Sequence, residues 1–159
     1  KAVEADTCPA SVVPEVKAVM DTIKTKFSDI SRKNVGFGST IFAVKPGDGS
    51  AREQAASCQK VLGGWANIAN EYATKRYRSN LINWGMLPFI IDEGELPFKN
   101  LDYLFLPNIR TAVEEGKSEF DAYVVKDGEL KPFTLKMGAL TPDEKEIILK
   151  GCLINYYRG

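Results

Sequence analysis

The sequence predicts an α/β domain with a mixed sheet, and three observations support this fold class. Strand-like apolar segments alternate with amphipathic helical segments along most of the chain. Two further strand-like segments flank the turn Asp127-Gly128, which predicts an antiparallel hairpin within the sheet. The chain has 159 residues, 44% of them hydrophobic, which suits a single globular domain. We therefore expect one domain over residues 1–159.

Apolar stripes and turn residues define the elements of the first half, after an unpatterned lead-in over residues 1–12. These elements are a helix from Pro14 to Phe27, a strand at Ser39–Val44, a helix from about Ala51 to Leu62, a strand at Trp65–Asn70 and a helix over Tyr72–Gly85. Pro14 suits the first turn of its helix, whereas Gly63-Gly64 and Gly85 end the two helices that precede them.

The second half continues the alternation of strands and helices. Its predicted elements are a strand at Met86–Ile91, a strand at Asp102–Leu106, a short helix at Pro107–Gly116, hairpin strands at Phe120–Val125 and Leu130–Leu135, and a helix from Thr141 to Lys150. The stretch Thr141–Glu144 is a capping box with a proline at the first helical position. We expect Trp84 and the segment Lys99–Leu106 to contribute to the core.

Charge and hydropathy exclude several classes of protein. Lys plus Arg and Asp plus Glu both number 21, so the chain lacks the basic excess of proteins that bind nucleic acids or anionic membranes. The basic stretch Lys75–Arg78 is typical of a solvated helix face. The sequence contains no apolar run of about 18 residues and no signal-peptide pattern, so we expect a soluble, cytoplasmic protein. A start at Lys1 indicates a processed chain or a piece of a larger protein.

The cysteine and histidine counts limit the available chemistry. Cys8, Cys58 and Cys152 lie far apart and no histidine is present, so neither a disulfide framework nor a zinc site is predicted. We expect reduced, mostly buried thiols, with Cys58 in the core. The lack of histidine excludes Ser-His-Asp and Cys-His catalysis. The acidic stretch Asp92–Glu95 is more typical of a solvated loop than of a metal site, and we predict no metal ligands.

The loop that ends at Ser50 has two interpretations. In the first, Ser50–Glu53 is a capping box, in which the serine hydroxyl accepts from the glutamate amide and the glutamate side chain reaches back to the serine. The buried face of the helix would then consist of Ala51, Ala55, Cys58 and Leu62. On this interpretation the loop serves only to start a helix.

In the second interpretation, the same loop binds an anion. A turn that contains Gly47 and Gly49 leads into a helix N-terminus, where unpaired amides point outward and the glycines let a ligand approach the backbone. Arg52 lies in the first turn, where the helix dipole disfavours a positive charge. An anion between the guanidinium and the amides, such as a substrate carboxylate, would make that position favourable.

Two ordered motifs resemble a known family. The stretch Gly49–Ala56, GSAREQAA, is similar to the Gly-Ser-Ser-Arg-Glu-His-Ala-Ala motif in the swivelling domain of aconitases and isopropylmalate isomerases. Downstream, Arg78–Phe89, RSNLINWGMLPF, resembles the family's segment with Asn-Leu, Gly and Leu-Pro, and Gly151–Arg158 resembles its C-terminal helix. The resemblance covers about residues 17–158 and is closest to the aconitase-like hydratases of bacteria.

The resemblance implies a swivelling β/β/α three-layer domain that closes over a catalytic core made by other domains. The implied enzyme is a hydro-lyase that removes water from, and returns it to, a hydroxy di- or tricarboxylic acid. Ser50 is then the base that takes the proton alpha to a carboxylate, Arg52 binds a substrate carboxylate, and Gly49 and Ala51 contribute to substrate binding. The family's 4Fe-4S cluster is then held by partner domains, on the same polypeptide or a separate subunit, and this chain alone binds no cofactor and is inactive.

Three departures from the family pattern stand out. Ala51 replaces the second motif serine, Gln54 replaces the motif histidine, and the strand with the family's other substrate-binding arginine is not recognisable before Lys17. Ala51 therefore leaves open an alternative function, a non-catalytic carboxylate- or phosphate-binding or interaction module derived from the same domain. Asn80 and Asn83 are candidate polar anchors, although capping or buried hydrogen bonding is the favoured interpretation.

Overall fold

The computed structural model describes residues 14–31 and 33–158, so the lead-in over residues 1–12 and Cys8 lie outside the described residues. The chain divides into two compact units. Of the described residues, the first unit contains 14–31, 33–37, 95–107 and 121–133, and the second contains 38–94, 108–120 and 134–158.

Helices and strands alternate as the sequence predicts. The helices are α1 (Pro14–Lys26), α2 (Arg52–Val61), α3 (Lys75–Asn83), α4 (Ile109–Glu115), α5 (Pro142–Lys150) and α6 (Leu153–Arg158). The strands are β1 (Ser39–Ala43), β2 (Gly64–Ala69), β3 (Leu87–Ile90), β4 (Tyr103–Phe105), β5 (Glu119–Lys126) and β6 (Glu129–Lys136). The largest shift is at α3, which begins three residues later than predicted because Thr74 caps it by accepting from the Tyr77 amide.

The described strands form one sheet in the order β1-β2-β3-β6-β5-β4. β1, β2 and β3 are parallel neighbours, with Ile68 opposite Phe42 on one side and Phe89 on the other. β3 and β6 are antiparallel through Ile90 and Lys136, and β4 is antiparallel to β5. The predicted α/β fold with a mixed sheet is therefore confirmed.

Two local signals in the second half of the sequence are confirmed in detail. Asp127 and Gly128 have φ values of 52° and 75°, the left-handed pair that a tight hairpin turn requires. At the start of α5, the Thr141 hydroxyl accepts from the Glu144 amide at 3.2 Å, and the Glu144 carboxylate accepts from the Thr141 amide at 2.9 Å. Both signals involve only neighbouring residues, which is why the sequence alone reveals them.

The core of the first unit forms around α1. The predicted apolar stripe is buried through Val16, Met20 and Ile23. Ile23 packs with Phe105 and Val125, and the Phe27 ring meets the Phe105 ring edge-on at 5.2 Å. The predicted core segment Lys99–Leu106 is only partly buried: Phe105 is in the core, whereas Leu101 is 89% exposed. Leu101 has a left-handed φ of 68°, so the chain turns here before β4 begins.

The core of the second unit joins the two family-like motifs. Ala56 of α2 packs against Tyr77 and Leu81 of α3 and against Met86, and Trp84 packs against this cluster. Trp84 thus contributes to the core as predicted, although it is only half-buried. Within the described residues, no helix is long and apolar enough to cross a membrane.

Asp102 gives the first unit a testable pH dependence. The Lys99 amide donates to Asp102 Oδ2 at 2.8 Å and Lys126 Nζ lies 3.5 Å from Oδ1, and these contacts hold the pKa of Asp102 below its ordinary 3.8. The ionised carboxylate therefore stabilises the folded state above pH 3.8, and this stabilisation is lost as the pH falls through the folded-state pKa. We expect Asp102→Asn to lower the thermal midpoint at pH 7 by about 1–3 °C, since the Lys126 side chain is 46% exposed and solvent therefore screens the ion pair.

The same variant gives the control for this prediction. Asparagine cannot ionise, so the difference in thermal midpoint between the two chains should shrink as the pH falls below 3.8 and the Asp102 carboxylate takes up a proton in the folded state. Differential scanning calorimetry between pH 2 and pH 7 measures it. A difference that is constant over this range would show that the Asp102 charge contributes nothing.

Candidate active site

The loop that precedes Ser50 is fastened to the segment before α3. The Glu71 amide donates to the Val44 carbonyl at 3.1 Å, and the Ala73 amide donates to the Pro46 carbonyl at 3.0 Å. Lys45 Nζ lies 2.9 Å from the Glu71 carboxylate, and this hydrogen bond raises the pKa of the Lys45 ammonium. These contacts attach the loop to its neighbour at three successive positions.

Gly47 is the turning point of this loop. Its φ of 97° is a conformation that side chains rarely adopt, and a Cβ atom here would collide with the Tyr77 ring. Its carbonyl accepts two hydrogen bonds, from Arg52 Nε at 2.9 Å and from Thr74 Oγ1 at 3.3 Å. The loop is therefore held both by the helix that follows it and by the N-cap of α3.

The predicted capping box at Ser50–Glu53 is wrong. The N-cap of α2 is Ala51, which has no side chain to bond the helix amides, and the first helical hydrogen bond runs from the Ala55 amide to the Ala51 carbonyl. The Glu53 carboxylate instead accepts from the Trp84 indole at 3.0 Å. The Glu53 side chain that the capping box requires is therefore bonded to Trp84, a residue 31 positions away that a local sequence motif cannot include.

This correction leaves Ser50 without a structural task among the described residues. The residue is exposed, and its hydroxyl makes no hydrogen bond to any of them. The amides of Arg52 and Glu53 precede the first helical hydrogen bond, so they have no acceptor within α2. Ser50 thus lies beside outward-facing donors at the positive end of the α2 dipole.

Arg52 is half-buried against the loop that it follows. In addition to the Nε contact with Gly47, its Nη2 atom lies 3.4 Å from the Asp48 carbonyl. These two carbonyls account for its position in the first turn without any anion, which the sequence alone did not anticipate. The guanidinium retains donors that no described residue occupies, and its orientation is set by the loop backbone.

Gly49 and Ala51 flank Ser50 on an open surface. Both residues are exposed, and a Cβ atom added to Gly49 would meet no atom within 4 Å. A ligand therefore has free access to the backbone on either side of Ser50. The structure thus brings all four predicted site residues together at the start of α2, although only by virtue of their adjacency in sequence.

The buried face of α2 differs from the predicted one. Ala56 is fully buried and Gln59 is half-buried, whereas the predicted core thiol of Cys58 is exposed. The other three predicted face residues, Ala51, Ala55 and Leu62, are exposed as well. Small and apolar residues occur on two faces of this helix, and the packing of α3 selects the face of Ala56.

A buried polar network below the loop is absent from the sequence predictions. Tyr77 is 2% exposed, and its hydroxyl accepts from Gln59 Nε2 at 3.0 Å and from Asn67 Nδ2 at 3.1 Å. Tyr72 donates to the Phe89 carbonyl at 2.9 Å, and burial raises the pKa of its phenol, which keeps it a neutral donor. A signal did exist: Asn67 is a polar residue inside a buried strand, where it requires hydrogen-bond partners.

The second motif lies against the first and extends to α5. The Arg78 guanidinium contacts Glu144 Oε1 at 3.1 Å and the Ala139 carbonyl at 3.1 Å, so Arg78 ties α3 to the capping box of α5. The predicted solvated face of the basic stretch is correct for Lys75 and Arg76 but wrong for Arg78, which pairs with a partly buried carboxylate.

Asn80 and Asn83 line a small cavity of about 180 Å³, together with Glu53, Trp84, Cys152 and Leu153. Both side chains are half-buried, and neither forms a hydrogen bond with a described residue. The favoured capping interpretation is therefore wrong for them, and their place beside Glu53 leaves the anchor interpretation open.

The described residues do not form a site for an iron–sulfur cluster. Such clusters take cysteine thiolates as ligands, but Cys58 is exposed on α2 and Cys152 is half-buried before α6. Among the described residues, no three His, Cys, Asp or Glu side chains converge to hold a metal ion. The acidic loop at Asp92–Glu95 is exposed as predicted, and Asp92 pairs with Lys136 at 2.7 Å.

Comparison with known proteins places this geometry in a family. The aconitase C-terminal domain model matches residues 12–94, which include both the Ser50 loop and the second motif. A crystal structure of 3-isopropylmalate dehydratase (leuD) from Methanocaldococcus jannaschii is similar at 30% identity with a TM-score of 0.55. That match covers 80% of this chain and 67% of the other. A search of curated proteins finds no significant match.

The fold and both motifs define a swivelling domain of the kind that accompanies an aconitase-like catalytic core. This chain belongs to the aconitase C-terminal domain family and is the swivelling domain of an aconitase-like hydro-lyase. The resemblance noted in the sequence is therefore confirmed.

Proposed function

We propose that this chain supplies the catalytic base and a carboxylate-binding arginine to a hydratase that acts on a hydroxy di- or tricarboxylic acid. One observation carries the proposal: Ser50 lies at the start of α2 with an exposed hydroxyl that no described residue engages. It occupies the position of the base in the family motif. A hydroxyl with no structural task, held on a loop that is fastened at three points, suits a catalytic role.

The environment of Ser50 favours a negative charge. A serine hydroxyl loses its proton only far above neutral pH, so its alkoxide needs positive surroundings. The unpaired amides at the start of α2 and the Arg52 guanidinium supply part of this field. Glu53 carries the nearest carboxylate on the helix, and its Oε1 atom accepts from the Trp84 indole at 3.0 Å.

Arg52 would bind a substrate carboxylate with the donors that the loop leaves free. Its Nε atom is held by the Gly47 carbonyl, so the plane of the guanidinium is fixed before substrate arrives. A carboxylate prefers such a preorganised fork to a flexible ammonium. Gly49 and Ala51 would contribute backbone contacts, because both are exposed and carry no side chain beyond Cβ.

The reaction would proceed through the proton on the carbon next to a carboxylate. Arg52 and the helix amides hold that carboxylate, and the Ser50 oxygen takes the proton from the adjacent carbon. The electrons of the broken C–H bond form the C=C bond as hydroxide leaves the neighbouring carbon. In the reverse direction Ser50 returns the proton, so this chain's residues bind, orient and move one proton.

We further propose that the departing hydroxide is handled by partner domains that carry a 4Fe-4S cluster, on the same polypeptide or on a separate subunit. The chemistry that the cluster supplies is Lewis-acid polarisation of the leaving hydroxyl. The family membership supports this division of labour, as does a donor set in the described residues that does not fit a cluster. The chain alone is then an inactive single domain over residues 1–159 that binds no cofactor.

Two further parts of the proposal rest on composition. Free thiols at Cys58 and Cys152 suit the reducing cytoplasm, where we place the protein. The equal numbers of basic and acidic residues favour a small-molecule substrate over nucleic acid or an anionic membrane as the ligand.

Calorimetric titration separates the enzyme from the non-catalytic module. We expect this chain alone to bind citrate and isopropylmalate with a Kd no tighter than the millimolar range, because most substrate contacts would come from the partner domains. Addition of the cluster-bearing domains should produce measurable dehydration of one of the two acids. Micromolar binding by the chain alone, with no turnover after reconstitution, would instead identify a binding module.

A further inference from the structure

Thr74 links the N-cap of α3 to the loop that carries Ser50. Its hydroxyl accepts from the Tyr77 amide at 3.2 Å, which starts the helix, and donates to the Gly47 carbonyl at 3.3 Å. A hydroxyl can do both because it is a donor and an acceptor at once. The donated bond crosses 27 residues of sequence, whereas a cap alone needs only the accepted one.

The carbonyl that Thr74 bonds is the one that orients Arg52. The Gly47 carbonyl oxygen accepts from both Thr74 Oγ1 and Arg52 Nε. If the loss of the Thr74 hydrogen bond moves this oxygen, the hydrogen bond that orients Arg52 changes as well. The loop packs closely on Tyr77 at this point, since a Cβ atom added to Gly47 would collide with the Tyr77 side chain. Ser50 follows three residues later, at the end of the same turn.

The Tyr77 ring is itself fixed from below. Its hydroxyl is held by Gln59 of α2 and Asn67 of β2, and both amide groups have an oxygen with no partner among the described residues. The hydrogen-bonded Tyr77 ring therefore supports Gly47 from one side, and the Thr74 hydroxyl holds the loop against this ring through its bond to the Gly47 carbonyl.

We propose that Thr74 is a positioning residue for the reaction, which acts through the Gly47 carbonyl to set the orientation of Arg52 and the place of Ser50. This inference rests on the proposed function, because it presumes that these two residues act on substrate. A displacement of about 1 Å in a catalytic group is enough to lower the rate about 100-fold.

Three substitutions at Thr74 separate positioning from capping. Thr74→Ser keeps both hydrogen bonds. Thr74→Asp keeps the cap, because aspartate is a good N-cap acceptor, but it cannot donate to a carbonyl. Thr74→Val removes both bonds with little change in volume. Each variant is examined in the full enzyme that contains this domain, with its partner domains present.

We expect kcat to fall about tenfold or more in Thr74→Asp and Thr74→Val, while Thr74→Ser stays within about twofold of the unmodified enzyme. Amide hydrogen exchange at Asp48, Gly49 and Ser50 should accelerate about tenfold in the same two variants and not in Thr74→Ser. Thr74→Asp should nevertheless keep α3 protected, which shows that the helix is still capped.

The outcomes distinguish the inference from its premise. If Thr74→Asp matches the unmodified enzyme in kcat and in loop exchange, Thr74 is only a cap and the inference is wrong. Unchanged kcat in Thr74→Val would overturn it equally. If Ser50→Ala turns over normally, the proposed function fails instead, and the exchange data still decide whether Thr74 holds the loop.

Discussion

Replacement of Ser50 by alanine in the assembled enzyme should lower kcat by several orders of magnitude and leave KM nearly unchanged. The hydroxyl is the proposed base, and removal of a group that acts in the transition state lowers kcat without weakening ground-state binding. A loss of 1,000-fold corresponds to about 4 kcal/mol of transition-state stabilisation. Steady-state kinetics in both directions, dehydration and hydration, measures the effect.

The structure makes this prediction sharper than the sequence could. If Ser50 capped α2, its replacement would also cost about 1 kcal/mol of stability, and a loss of activity would be ambiguous. Because Ala51 is the N-cap and the Ser50 hydroxyl is unengaged by described residues, the thermal midpoint of Ser50→Ala should be unchanged. Ser57→Ala is a matched control, since that hydroxyl lies within α2 and, among the described residues, bonds only the Gln54 carbonyl. A near-normal kcat in Ser50→Ala would contradict the proposed role.

Arg52→Lys should raise KM about 10- to 100-fold and lower kcat as well. Lysine retains the charge, but its ammonium cannot bond the Gly47 carbonyl and present a planar pair of donors to a carboxylate at the same time. Arg76→Lys on the exposed face of α3 is the matched control, and it should behave as the unmodified enzyme.

A substrate analogue separates the two contributions of Arg52. If the guanidinium binds a substrate carboxylate, conversion of that carboxylate to an amide should remove most of the penalty of Arg52→Lys, as in a double-mutant cycle. Each carboxylate of the substrate is tested in turn. An equal penalty for every analogue would show that Arg52 acts only by bracing the loop through Gly47 and Asp48.

Much of this fold follows from short stretches of sequence. The Asp127-Gly128 turn, the Thr141 capping box and the apolar stripe of α1 are confirmed because each depends on residues that are close together in sequence. The Ser50 and Arg78 motifs lead to the family for a similar reason, since each keeps its residues in a continuous run.

The predictions that were wrong depend on contacts between residues far apart in sequence. Ser50–Glu53 has the pattern of a capping box, yet Glu53 bonds Trp84, which lies 31 residues away. Cys58 occupies a plausible buried face of α2, yet the packing of Tyr77 and Leu81 selects the face of Ala56. In each case the competing partner is distant in sequence, and a local pattern contains no information about it.

The sequence by itself therefore determined the order of the elements, the family and the four residues of the candidate site. Only the tertiary structure decided what those residues are free to do. In the folded chain Ser50 is not the N-cap of α2, Arg52 donates to two backbone carbonyls, and Thr74 donates to the Gly47 carbonyl. The physical reason is that hydrogen-bond donors and acceptors are shared among all groups within reach, and folding decides which groups come within reach.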